Sequence, residues 1–245
     1  MKIVKLFAAG LIILLLAGCA TENTTADSKR KWHPRDGYFQ TLDTTSLESQ
    51  ANDGDYEAVF HFAIRLMNGD RIGRDQQRAV EIARKSAMSG DARSQYLLGA
   101  ALTGGSGVPK DEYKAVSWFK KSAEQGYVTG EYWHGFMLSR GRGYSEPDWA
   151  EALKWFRRAA DKGHEDAQAT LGEAHESCRG GLSRDFETAA TWYRRADRSG
   201  RGHMMSRFNL RRLIDIGAIE WREGDGGAPP IELVKIDRSF LNPCD

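Results

Sequence analysis

Ala115-Val116-Ser117-Trp118-Phe119-Lys120-Lys121-Ser122-Ala123-Glu124-Gln125-Gly126 is not a solitary stretch. It returns as Ala152-Leu153-Lys154-Trp155-Phe156-Arg157-Arg158-Ala159-Ala160-Asp161-Lys162-Gly163, and again over Ala189–Gly200, with Ala79–Gly90 as an earlier copy. The closing glycines, Gly90, Gly126, Gly163 and Gly200, are spaced by 36, 37 and 37 residues. A second glycine stands nine residues after each of the first three, at Gly99, Gly135 and Gly172. Self-similarity at this period predicts an all-α chain built as a helical solenoid.

The variable residue locates the joints. Asp75, Asp111, Asp148 and Asp185 each lie four residues before the Ala that opens a copy, so the length difference falls between helices, where insertion is tolerated. A carboxylate there caps the orphan N–H groups of the second helix and complements its dipole. Each unit therefore reads as helix A, a glycine-containing turn, helix B, and a closing glycine suited to a left-handed cap. Gly99, Gly135 and Gly172 fall inside helix A, where Gly costs about 0.8–1 kcal/mol relative to Ala. Their recurrence, with Ala63 in the first unit, predicts close helix approach. Ala123 and Ala160 are expected to do the same on helix B. Trp118, Trp155 and Trp192 are expected to fill the space between units.

The pattern Ala-x-x-Tyr-x-Leu-Gly…Gly-x-Gly-Val…Asp…Ala…Trp-Phe…Ala-Ala…Gly resembles the Sel1-like repeat, a relative of the tetratricopeptide repeat. The likeness covers about Gly54 to Gly200, and Gly105-Ser106-Gly107-Val108 is its cleanest turn. It implies a right-handed α-solenoid used for protein–protein contact. Units of about 55–90, 91–126, 127–163 and 164–200 would lie between two half-repeats, as solenoid ends require. Thr44–Asn52 supplies a lone helix B and His203–Ile216 a lone helix A. The solenoid then spans 43–217, and 218–245 is a tail, extended through Ala228-Pro229-Pro230.

The N-terminus speaks to location. Lys2 and Lys5 precede an apolar run, Leu6–Ala17, that is too short to span a bilayer, which takes about 20 residues. Leu16-Ala17-Gly18-Cys19 resembles a bacterial lipobox. Residues 1–18 thus read as a lipoprotein signal peptide, Cys19 as the acylated residue, and 19–42 as the lipidated end and its tether. Ala20, rather than Asp, points by resemblance to the sorting rule toward the periplasmic face of the outer membrane. That compartment is oxidising, which favours one disulfide between Cys178 and Cys244 over two unpaired buried thiols.

Charge and motifs narrow the function. The chain has 35 Lys+Arg against 34 Asp+Glu, and without Lys2 and Lys5 the basic count is 33. A nucleic-acid partner is therefore not expected. Gly104-Gly105-Ser106-Gly107-Val108 lacks the last glycine of a nucleophile elbow. The six histidines show no metal-ligand spacing. No enzyme activity, cofactor or metal is expected. Resemblance to tetratricopeptide arrays implies that positions 2, 5, 9 and 12 of helix A line a concave face. The candidate partner-binding residues are Glu57, Phe60 and Ile64; Arg93 and Tyr96; Thr129, Tyr132 and Phe136; and Asp166, Glu173 and Glu176. Aromatics dominate the first three units and acid the fourth. The basic pairs Lys120-Lys121, Arg157-Arg158 and Arg194-Arg195 read as solvated and dipole-complementing. Two functions remain open: an immunity protein that binds and neutralises a lipase or phospholipase effector of type VI secretion, by resemblance to Sel1-repeat lipoproteins, and a structural or regulatory envelope scaffold.

Overall fold

The computed structural model describes Phe39, residues 41–198 and residues 203–225. Ten α-helices and one 3-10 turn follow one another there: α1 (Thr44–Asn52), α2 (Tyr56–Asn68), α3 (Gln76–Met88), α4 (Ala92–Gly104), α5 (Glu112–Glu124), α6 (Val128–Arg140), α7 (Trp149–Asp161), α8 (Glu165–Glu176), the turn Arg179–Gly181, α9 (Phe186–Asp197) and α10 (Met204–Asp215). Each helix packs on the next in sequence, giving four A–B hairpins between the lone helices α1 and α10. Helices α2 and α4 also touch, as do α4 and α6, whereas successive B helices approach less closely. The A helices therefore line the inner side of the array. The expected signal peptide (1–18), the acylated Cys19, the tether up to residue 38 and the extended tail from residue 226 lie outside the described residues.

The helix starts follow the sequence. Asp75, Asp111, Asp148 and Asp185 are the N-caps of α3, α5, α7 and α9, and each side chain accepts from the backbone N–H three residues on. Each such cap contributes about 1 kcal/mol. The closing glycines Gly90, Gly126 and Gly163 hold φ of +101°, +82° and +94°. Gly163 N–H donates to Ala160 O and His164 N–H to Ala159 O, the paired bonds that end a helix at a left-handed residue.

The interior is built on one recurring pair. A Cβ placed on Gly99 would lie 2.8 Å from Phe119, on Gly135 3.1 Å from Phe156, and on Gly172 2.5 Å from Tyr193. The mid-helix glycines thus let helix A press against the flat ring of its own helix B. Phe119, Phe156 and Tyr193 are fully buried, as are Ala123 and Ala160. This corrects the expectation for two of the three tryptophans. Trp118 and Trp155 are only half-buried, and cations lie over their rings: Lys121 Nζ at 4.3 Å and the Arg158 guanidinium at 4.4 Å. Trp192 does fill the space between units, buried in the cluster of Leu138, Ala152, Phe156 and Ala160 of the preceding unit, with Arg157 and Arg195 4.7 Å and 4.4 Å from its ring centre. The aromatic one residue later fills the seam. The basic pairs are corrected with them: several of these cations stack on tryptophan, and Arg194 is itself buried, bonding Asp225 through Nε at 2.6 Å and a second nitrogen at 2.8 Å.

Candidate partner-binding face

Counting from each N-cap (Asp55, Asp91, Tyr127, His164, His203) puts the small residue at position 8 of every internal A helix and aligns the inner face. Position 5 reads Phe60, Tyr96, Tyr132, Ala169 and Phe208. Tyr96 lies 5.7 Å from the ring of Tyr127 and 6.1 Å from that of Phe119. Tyr132 stacks on His164 with centroids 4.5 Å apart and planes 18° from parallel. Tyr127 and His164 are the N-cap residues of the following A helices, so each tyrosine packs against the start of the next unit. Phe60 is half-buried against His61, and Ile64 packs on the first core cluster.

These rings join into a surface. Trp133 bridges Phe119 at 5.8 Å to Phe136 at 5.3 Å, and Phe136 adjoins Tyr132 at 6.3 Å. The Arg140 guanidinium stands 5.5 Å from the Phe136 ring centre. Such ring pairs contribute about 0.5–1.5 kcal/mol beyond burial. Burial pushes the Tyr132 phenol up to about 12, and the charges of Asp166 and Glu173 act in the same direction. The phenol therefore stays protonated and available as a donor beside two carboxylates.

The charged candidates separate into structural and unspent groups. Glu57 and Arg93, both at position 2, pair across adjacent units at 2.7 Å. Glu176 is held on two sides, by the Arg212 guanidinium and by the Tyr193 hydroxyl, which donates at 3.1 Å. Asp166 is exposed, with Oδ1 3.1 Å from His203 Nε2. Thr129 is half-exposed on the first turn of α6. Glu173 differs from its neighbours: it is half-buried, and its side-chain carboxylate has no hydrogen bond or ion pair among the described residues. Burial raises its carboxyl above the usual carboxylate range, with Arg179, Glu176, His203 and Arg140 as the charges around it.

Sequence reading missed Trp133, Arg140, Met205 and Phe208 as members of this face. The last two could have been found by counting from His203. The glycine register stops at Gly172 because Arg211 holds position 8 in α10. Cys178 has φ of +59° and lies at the place taken by Gly69, Gly105 and Gly141, the left-handed caps of α2, α4 and α6. It is disulfide-bonded; Cys244 lies outside the described residues. Among the described residues no group of His, Cys, Asp or Glu is arranged to hold a metal ion, and no helix is long and apolar enough to cross a membrane.

The Sel1 repeat profile matches residues 57–91, 92–127, 128–164 and 166–196, more than half of the chain. The chain belongs to the Sel1 repeat family. Its architecture is that of solved Sel1 solenoids. One is c5321 of uropathogenic Escherichia coli, a protective antigen: 30% identity, TM-score 0.64, 72% of this chain covered and 37% of that one. Another is a Sel1 repeat protein of Oxalobacter formigenes, 26% identical with TM-score 0.64, covering 71% of this chain and 69% of the other. Pseudomonas aeruginosa PA5086 shares the fold at 18% identity and TM-score 0.52, over 77% of this chain and 74% of its own. This chain spans little more than a third of the length of the E. coli protein. No curated protein shows significant similarity. As a Sel1 solenoid the chain is a protein-interaction scaffold of a family whose members are generally non-enzymatic.

Proposed function

We propose that this Sel1 solenoid is a lipid-anchored periplasmic immunity protein that binds and neutralises a secreted antibacterial lipase or phospholipase. The observation that carries the reading is the inner face. It is a preformed strip of the half-buried rings Tyr96, Tyr132, Trp133 and Phe136, with the unpaired carboxylate of Glu173 within electrostatic reach of Tyr132. A rigid strip loses little conformational freedom on binding, which favours tight association. Aromatic anchors carry most of the energy of such interfaces, while charge sets on-rate and orientation. The sequence motif Leu16-Ala17-Gly18-Cys19 supports anchoring where an enzyme attacking phospholipid would act, on the periplasmic face of the outer membrane. Acyl chains bind by about 0.8 kcal/mol per buried methylene, so several chains hold the protein there. An inhibitor also needs no chemistry of its own.

The test is protection. Each secreted lipase encoded in the same genome is expressed in the periplasm of a sensitive cell, with and without this protein. Rescue by the native chain, lost on Cys19→Ser when the soluble form is released, is the expected result. Binding to no lipase, with rescue of none, would return the protein to the alternative of an envelope scaffold.

A further inference from the structure

The last A helix does something the internal ones do not. In α4 and α6 the ring at position 5 is covered by the N-cap ring of the next unit, Tyr96 by Tyr127 and Tyr132 by His164. Phe208 holds that position in α10 and is 64% exposed, with Met205 at position 2 exposed by 56% and Met204 by 83%. Three large apolar side chains are therefore uncovered within two turns of one helix. Exposed apolar groups that cluster in this way mark interaction surfaces far more than isolated ones do.

The neighbouring charge is complementary to one kind of visitor. Glu173 shares a face of α8 with Asp166 and Glu176, whose side chains contact His203 and Arg212 of α10, so the unpaired carboxylate stands on the side of α8 that meets α10. The carboxylates beside it are already engaged, Asp166 with His203 and Glu176 with Arg212. We propose that this open end of the inner face, where α8 meets α10, docks a protein segment carrying an apolar anchor beside a Lys or Arg. The anchor covers Phe208 and Met205, and the cation pairs with Glu173. A cation arriving at a half-desolvated carboxylate gains more than it would in water and favours the ionised form. Two other occupants fit worse. A second copy would bring to Glu173 an α10 whose Arg207 and Arg212 are already paired with Asp197 and Glu176, and an anionic lipid surface would meet Asp166 and Glu173.

The inference rests on the protein-binding reading and locates its hot spot. Benzoylphenylalanine is placed at Phe208, at Tyr132 on the inner face, and at Tyr113, an exposed position on a B helix. Cells producing the full chain are irradiated and the cross-linked peptides sequenced. The expected product at position 208 carries an apolar residue within one helical turn of a Lys or Arg. Glu173→Lys lowers its yield about tenfold with an unchanged circular dichroism spectrum. Products at 132 but none at 208, a peptide at 208 without a cation, or an unchanged yield in Glu173→Lys would overturn the inference and leave the binding reading intact. No product at either inner-face position would defeat both.

Discussion

The seam inside each hairpin and the inner face of the array obey different rules. At the seam the same pairing recurs: Gly99 on Phe119, Gly135 on Phe156, Gly172 on Tyr193. On the inner face position 2 reads Glu57, Arg93, Thr129, Asp166 and Met205, and position 9 reads Ile64, Ala100, Phe136, Glu173 and Arg212. A seam residue is chosen by a neighbour inside its own unit, so the choice repeats with the unit. An inner-face residue varies along the array, as the proposed contact with a partner outside the chain would require. On the proposed reading, stability belongs to the first set and recognition to the second.

The seam gives the largest expected effect, and it is graded. Gly172→Ala puts a methyl 2.5 Å from a fully buried tyrosine ring and should destabilise by about 2–3 kcal/mol in urea unfolding. Gly135→Ala meets its ring at 3.1 Å, and the helix-propensity gain of about 1 kcal/mol should leave it near neutral. Equal losses at both sites would show that the glycines are not there for the rings.

One unit breaks the seam's apolar rule and should show it in acid. His134 stands where Leu98, Leu171 and Leu210 stand in other A helices, buried edge-on to Trp155. Burial, with the charge of Lys120 adding to it, lowers the His134 pKa to about 4. The folded form therefore keeps it neutral while the unfolded chain takes up a proton below about pH 6.5, so stability falls as pH drops from there toward 4. His164 and His175 are also lowered by burial and act in the same sense. His134→Leu should flatten this limb and gain about 1–2 kcal/mol at pH 5 relative to its effect at pH 8. Thermal melts across that range check it; parallel curves for the two proteins would contradict it.

The inner face should respond in binding rather than folding. Phe136→Ala should weaken the proposed lipase complex by more than about 1 kcal/mol while changing unfolding less than Gly172→Ala does. Glu173→Lys should slow association, with the difference shrinking as salt is raised. The smallest effect belongs to the cations on the outer tryptophans. Lys121→Gln removes an exposed ring contact and should cost about 0.5 kcal/mol of stability, leaving binding unchanged.

Most of the fold was legible because repetition supplies its own control. Four Asp caps and three closing glycines stood at matching places, and the lone helices α1 and α10 fell where half-repeats were expected. The choice between the paired aromatics was also written in the chain. Ala115, Phe119 and Ala123 are four residues apart and share one helix face, whereas Trp118 is turned about 100° away from Phe119. The binding face was legible only in part. Spacing selects position 5, but it cannot say that Tyr96 and Tyr132 press on the next unit's N-cap, or that Glu176 is held by Arg212 while Glu173 is left open. Those distinctions depend on side chains from two units, and no single repeat contains them.

Titration calorimetry of residues 19–245 against each secreted lipase encoded in the same genome tests the central claim most directly. We expect a one-to-one complex that Phe136→Ala weakens by tenfold or so and that Tyr113→Ala, on the opposite helix, leaves unchanged. A complex equally tight in both variants, or no heat of binding for the native chain, would contradict recognition through the inner face.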